Sequence, residues 1–340
     1  MKRRFCALIA VLFLLLTSCA GKDAAPFAAF APPEGKRLCV YTSHKEEVYL
    51  PIVREFEERT GIWVEVVTGG TTELLERIES EAKAPRCDVM FGGGGESLTA
   101  YAALFEPYTC GGIDAVDEAL RPAESLYTPF STLPIVLIRN PRMVSADDLT
   151  GWEDLLDEAW RGRIAFADPT VSGSSYTALM TMLSALPGDE EELLSRFHAN
   201  LDGAALPDSG DVAEAVAMGR LPVGVTLEQS ALQYAGAGEK PAIVYPKEGT
   251  SALADGTALI AAAPHRENAI AFLEFTISYD AQAQTAERLY RRSVRSDVPD
   301  REELPARGDF PLIDYDVSWA SSRKEEMLRR WAQLEGEAIG

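Results

Sequence analysis

The chain has 340 residues, 46% of them hydrophobic, and 53 acidic against 32 basic side chains leave a formal net charge of −21. That length and apolar share supply two domains with real cores. Such an acid excess excludes a nucleic-acid partner, because phosphate backbones demand clustered Lys and Arg, and it favours a soluble monomer.

Residues 1–18 combine a basic start, Lys2-Arg3-Arg4, with an apolar run from Phe5 to Leu16 that is too short to span a bilayer comfortably. The run closes on Leu16-Thr17-Ser18-Cys19, which resembles the bacterial lipobox. That resemblance implies removal of residues 1–18 as a signal peptide and an acylated Cys19 as the mature N-terminus. The acyl chain is expected to hold everything downstream at a membrane surface outside the cytoplasm. Residues 19–36, small and Pro-rich, read as a linker between anchor and body. Three cysteines remain in the body, Cys39, Cys87 and Cys110. A Cys39–Cys87 bridge between adjacent strands and three free thiols are both open.

From residue 37 onward strands and helices alternate. Leu38–Ser43 reads as a strand, and Lys45–Thr60 as a helix with Val48, Ile52, Val53 and Phe56 on one face and Gly61 as its stop. Trp63–Thr68 is a second strand, followed by a helix carrying Leu74, Leu75 and Ile78. Asp88–Gly92 is a third strand that runs into four glycines and a helix from Ser97. Strand-helix-strand at this spacing predicts a parallel sheet with right-handed crossovers. Further on, strands are expected at 133–139, 164–167, 222–226 and 257–262. Helices are expected at 151–158, 176–186, 190–201, 212–218 and 266–277, with a terminal one from Glu325.

Three strand-to-helix turns share one chemistry. Ser43-His44-Lys45-Glu46 has the Ser-x-x-Glu form of a capping box. Gly69-Gly70-Thr71-Thr72 and Asp168-Pro169-Thr170-Val171-Ser172-Gly173-Ser174-Ser175 both place hydroxyls at a helix start. A helix start leaves backbone N–H groups unpaired and carries the positive end of the helix dipole. Several such starts converging on one crevice bind an anion without many basic side chains, which matters in a chain this acidic. The GxxxxGK[ST] nucleotide pattern is absent from these turns.

At this point the chain resembles the family 1 extracellular solute-binding proteins of ABC importers. The likeness is carried by VYTSHKEEVYLPIVREFEERTGIWVEV, DVMFGGGGESL, DPTVSGSSYTAL, GRLPVGVTLEQSA, KPAIVYPKEGTSALADGTALI and ENAIAFLEFTIS, and it covers essentially the whole mature body. The nearest branch holds the ferric-iron and phosphorylated-sugar binders, with phosphonate binders as relatives. The resemblance implies an α/β clamshell of two lobes, with mixed parallel sheets and flanking helices, that closes on one solute and then docks on a membrane permease. By the family pattern, lobe I takes 37–130 plus 253–305, and lobe II takes 131–252 plus 306–340.

Iron binders of this branch use a His after the first strand, an acid after the third, and an adjacent tyrosine pair. His44 matches the first position and Glu96 the second, but no Tyr-Tyr dipeptide occurs. The metal reading with His44 and Glu96 is therefore kept as the alternative. The phosphorylated-sugar branch fits better. There Ser43, Thr71, Thr72, Ser172, Ser174 and Ser175 would take the phosphate, and Asp208 and Glu228 would accept hydrogen bonds from sugar hydroxyls. Arg139, Arg291 and Arg292 are weaker candidates. No cofactor is expected. Nor is an enzyme, since His44, His198 and His265 are the only histidines and none stands in a nucleophile motif.

Overall fold

A computed structural model describes residues 31–339, apart from 204, 235, 303 and 307. The leader, residues 1–18, and Cys19 lie outside the described residues, and the linker is described only from residue 31. Residues 37–339 form one compact unit. No described helix is long and apolar enough to cross a membrane.

The unit opens with β1 (Arg37–Thr42), α1 (Glu46–Thr60), β2 (Trp63–Thr68), α2 (Thr71–Glu81), β3 (Val89–Gly94) and α3 (Gly95–Ala100). β1 pairs with both β2 and β3 in parallel, as the strand-helix alternation predicts. α1 buries Val48, Ile52, Val53 and Phe56 and stops at Gly61, whose left-handed φ of 64° sends its N–H back to Glu57 O. These residues join a core built from positions 38–130 and 254–294.

β4 (Thr128–Arg139) is the long strand of the molecule. Its first part, Thr128–Pro134, pairs antiparallel with β8 (Ala252–Leu259), and its second part, Ile135–Arg139, pairs antiparallel with β6 (Val223–Leu227). The strand order is β2-β1-β3-β8-β4-β6-β5, with β5 at Ile164–Ala165; β7 (Ala242–Val244) and β9 (Arg292–Ser293) also pair with β4. Pro134 stands where the pairing changes over. Past this point two further cores begin. One joins Ile135, Trp152, Phe166, Phe197 and Val225 with Ala320, Met327 and Trp331, and a smaller one joins Val136, Ile138, Val212 and Val216.

The helices beyond β4 are α4 (Gly173–Ala185), α5 (Glu190–Leu201), α6 (Gly210–Ala217), α7 (Glu228–Gln233), α8 (Arg266–Thr276), α9 (Tyr279–Leu289), α10 (Val317–Ser322) and α11 (Lys324–Ile339). The expected helix at 151–158 is replaced by two 3-10 turns, Glu153–Leu156 and Glu158–Trp160. Asp154 takes the amides of Thr150 and Gly151 at 2.7 and 3.0 Å, and Asp157 takes that of Ala159 at 2.8 Å. Short carboxylates bonding to nearby backbone in this way compete with an α-helix. Cys39, Cys87 and Cys110 are all free thiols, so the Cys39–Cys87 bridge is not formed.

A cleft walled by helix starts

The parallel strands β1 and β2 end at the same edge of the sheet, so α1 and α2, which follow them, start side by side. α1, α2, α4 and α6, of 15, 11, 13 and 8 residues, all begin on one cleft of about 1020 Å³. Its walls include Ser43–Glu47, Gly69–Glu73, Thr170–Ser174 and Asp208–Gly210. Helix starts leave first-turn amides short of intrahelical partners, and the starts of all four helices line this space, the Ser175 amide of α4 being taken by Ser172.

The local chemistry of the turns differs from one to the next. Ser43 does not cap α1: the N-cap is Lys45, and no side-chain bond closes that end. The expected Ser43–Glu46 capping box is therefore absent, and the Ser43 hydroxyl stays on the cleft wall. At α2, Glu73 reaches back to the Gly70 amide at 3.3 Å, and Gly70 has no side chain to complete the pair. At α4, Ser172 is a true cap whose Oγ accepts the Ser175 amide at 3.3 Å, with the Ser174 and Ser175 hydroxyls each 3.1 Å away. Thr72 Oγ1 is buried without a hydrogen-bond partner on the cleft wall.

The floor is charged and paired. Asp255 accepts from the Ser131 amide and hydroxyl, both at 2.8 Å, and from the Arg291 guanidinium. Arg291 also donates to Ser131 Oγ at 2.7 Å and to Gln229 Oε1 at 3.1 Å. Burial pushes the Asp255 carboxyl up, against the pull of Arg291. His44 lies beside this pair, with Nε2 3.4 Å from Asp255 Oδ2. Burial, and then the charge of Arg291, hold its imidazole well below the usual histidine value, so the ring is neutral near pH 7. Its buried Nε2 has no hydrogen-bond partner. Across the mouth, Lys45 Nζ meets Asp208 Oδ2 at 2.6 Å.

Of the residues expected at the site, Ser43, His44, Thr71, Thr72, Ser172, Ser174 and Asp208 line the cleft. Three do not. Ser175 is buried behind the wall and spends its hydroxyl on Ser172. Glu96, which follows the Gly92–Gly95 run, is fully buried. Its Oε1 accepts from Thr177, Oε2 has no partner, and burial pushes the carboxyl up. Glu228 is withdrawn into a buried ion pair with Arg292, at 2.8 and 2.9 Å, and also accepts from the Tyr245 hydroxyl. Residues that sequence reasoning left out are Lys45, Thr177, Gln229 and Asp255; Arg291, ranked low, sits on the floor. Asp255 and Arg291 carry no local motif, and their pairing joins positions far apart in the chain. Among the described residues no group of three or more His, Cys, Asp or Glu side chains is placed to hold a metal.

This mixed sheet with flanking helices and a cleft at the strand ends is the periplasmic-binding-protein fold. The periplasmic binding protein AfuA from Actinobacillus pleuropneumoniae, with fructose-6-phosphate bound, superposes with a TM-score of 0.80 at 22% identity, covering 88% of this chain and 98% of that one. Residues 38–287 match the model of the bacterial extracellular solute-binding protein family, and the chain belongs to that family. It is similar to iron uptake protein A1 of Synechocystis, 28% identical over 315 residues, 87% of this chain and 86% of the relative. It is also similar to a putative 2-aminoethylphosphonate-binding periplasmic protein of Salmonella typhi, 25% identical over 255 residues, 73% of this chain and 74% of the relative. The family is one of extracytoplasmic solute-binding transport proteins rather than enzymes: each binds a small solute and delivers it to an ABC permease.

Proposed function

We propose that the solute is an organic phosphate or phosphonate, held by its anionic end against the starts of α1, α2 and α4. The observation that carries this reading is the convergence of those helix starts on one cleft that also holds two unpartnered buried groups, Thr72 Oγ1 and His44 Nε2. Buried polar groups are nearly always satisfied, and a solute oxygen in the cleft would satisfy both. Ser43, Thr71, Ser172 and Ser174 supply hydroxyl donors around them. The relatives' names, for a fructose-6-phosphate complex and a 2-aminoethylphosphonate binder, point the same way. Of the two acids first assigned to sugar hydroxyls, Asp208 remains in the cleft, whereas Glu228 is spent on Arg292. Residues 37–130 with 253–305, and 131–252 with 306–340, are the lobes that close on the solute. Cys19 carries the lipid that holds the protein at the membrane as a monomer; mass spectrometry of the N-terminal peptide from a membrane fraction tests that anchor.

The test is titration calorimetry of the purified body with hexose phosphates, 2-aminoethylphosphonate and ferric citrate. Heat with a phosphate or phosphonate ester supports the assignment. A response to ferric citrate alone overturns it in favour of iron, the reading suggested by the name of the Synechocystis relative.

A further inference from the structure

Arg291, just before β9, and Arg292, its first residue, face the first two residues of α7. Arg291 donates to Gln229 Oε1 at 3.1 Å, and Arg292 grips both oxygens of Glu228 at 2.8 and 2.9 Å. The Arg292 backbone is paired with Thr132 of β4, on the part of that strand that pairs with β8, whereas α7 follows β6 on the other part. The arginine pair therefore ties the cleft-facing helix α7 to the strand that runs through the whole sheet.

The Arg292 site is built. Its guanidinium is fully buried, Asp300 Oδ2 and Pro305 O accept from it at 3.2 and 2.9 Å, and it lies 5.3 Å from the Phe310 ring centroid. Phe310 stacks in turn on Tyr245 at 4.4 Å, and the Tyr245 hydroxyl donates to Glu228. Glu228 does not line the cleft, but its neighbours Gln229 and Ser230 do, along with Gln233 one turn on. The donors run in one direction along that face: Arg291 to Gln229, Gln229 Nε2 to Gln233 Oε1, and Gln233 Nε2 to Leu289 O at 2.7 Å. Glu228 thus anchors the first residue of the helix whose Gln229, Ser230 and Gln233 line the cleft.

We propose that Arg292 and Glu228 are positioning residues for solute recognition, acting through Gln229 and Ser230 without touching the solute. The inference concerns the same cleft as the phosphate reading, but it is testable without any ligand.

The experiment compares wild type, Glu228→Gln, Arg292→Met and the double variant by hydrogen exchange and thermal melting, all without ligand. Each single variant takes the main counter-charge from a buried ion and should lower Tm, whereas the double variant removes both members of the pair and should recover part of the loss, Asp300 still losing its contact with the guanidinium. A positioning role predicts that the double variant, although partly restabilised, still exchanges the amides of residues 228–234 at least tenfold faster than wild type, with β1 and β3 unchanged. A double variant that regains that part of Tm together with wild-type exchange in that segment shows a merely structural pair and overturns the proposal. Unchanged exchange in every variant overturns it as well. If those variants fail to fold, Phe310→Leu, which removes the ring that packs on the guanidinium and on Tyr245, should loosen the same segment to a smaller degree; uniform loosening across the chain refutes the idea. Calorimetry with glucose 6-phosphate on the same proteins separates the two claims. A wild type that binds no phosphate ester refutes the ligand assignment and leaves the exchange result to decide the clamp.

Discussion

His44 packs edge-on against Phe91 at 4.5 Å and in a tilted contact with Phe130 at 5.6 Å, on the floor of the cleft. Its surroundings make protonation in the folded state costly. An unfolded imidazole gains a proton below about pH 6.5, whereas the buried one does so only well below that. Between those limits the unfolded chain binds more protons, so stability falls as pH falls, by at most about 1.4 kcal/mol per pH unit from this group. Urea unfolding at pH 7 and pH 5 should show this slope in wild type and a flatter one in His44→Gln; equal slopes would remove the histidine from the account. Ser174 and Ser175 separate cleanly at the same scale. Ser174 lines the cleft, so Ser174→Ala should weaken binding of a phosphate ester by about 1.5–3 kcal/mol, the usual worth of a hydrogen bond to a charged group. Ser175 bonds Ser172, and Ser175→Ala should cost under about 1.5 kcal/mol of stability with little change in affinity.

Among the elements, the glycine run at the junction of β3 and α3 has a specific mechanical role. Gly92 has φ 114°, and a Cβ there would lie 2.7 Å from Ser43 Oγ and 3.3 Å from His44 Nε2. Gly92→Ala therefore combines backbone strain with displacement of the first cleft turn and should cost about 1–3 kcal/mol, read by urea unfolding. The helix starts carry a tension of their own. Glu46 and Glu47 open α1 and Glu73 opens α2, each favourable to its helix dipole and each facing the cleft. These carboxylates repel an approaching anion from the site that attracts it. Raising ionic strength should thus speed association of a phosphate ester, the reverse of a site ringed by lysine, and stopped-flow binding at two salt concentrations checks the sign.

Over the whole molecule, the two cleft walls already touch. Lys45 meets Asp208, and a Cβ added at Gly173 would lie 3.1 Å from Thr71 Oγ1. The Lys45–Asp208 pair is about half exposed, and such pairs contribute about 0.2–1 kcal/mol. Lys45→Ala should therefore change affinity by no more than about fivefold. A larger loss would mean that the ammonium contacts the solute directly. Hinge closure of the proposed lobes should appear as a smaller radius of gyration on binding a phosphate ester, and identical free and bound scattering profiles would contradict it.

Local chemistry alone was enough to read the strand-helix alternation from β1 to β3, the buried face of α1, and three of the turns that wall the cleft, but not β7, β9, α7, α9 or α10, nor the 3-10 turns that stand in place of the expected 151–158 helix. Apolar spacing, glycine stops and hydroxyl-rich helix starts act over a few residues and do not need the rest of the fold. Where a side chain at the end of a strand points, and what neutralises it, depends on partners dozens of positions away. Glu228 looked like a ligand acid because it follows a buried strand, yet Arg292, 64 positions on, draws it inward. Glu96 turned under the wall to Thr177, 81 positions on, while Asp255 took Arg291 and became the floor. Burying a charge requires a counter-charge or a full set of hydrogen bonds, and only the assembled fold decides which distant residue provides them.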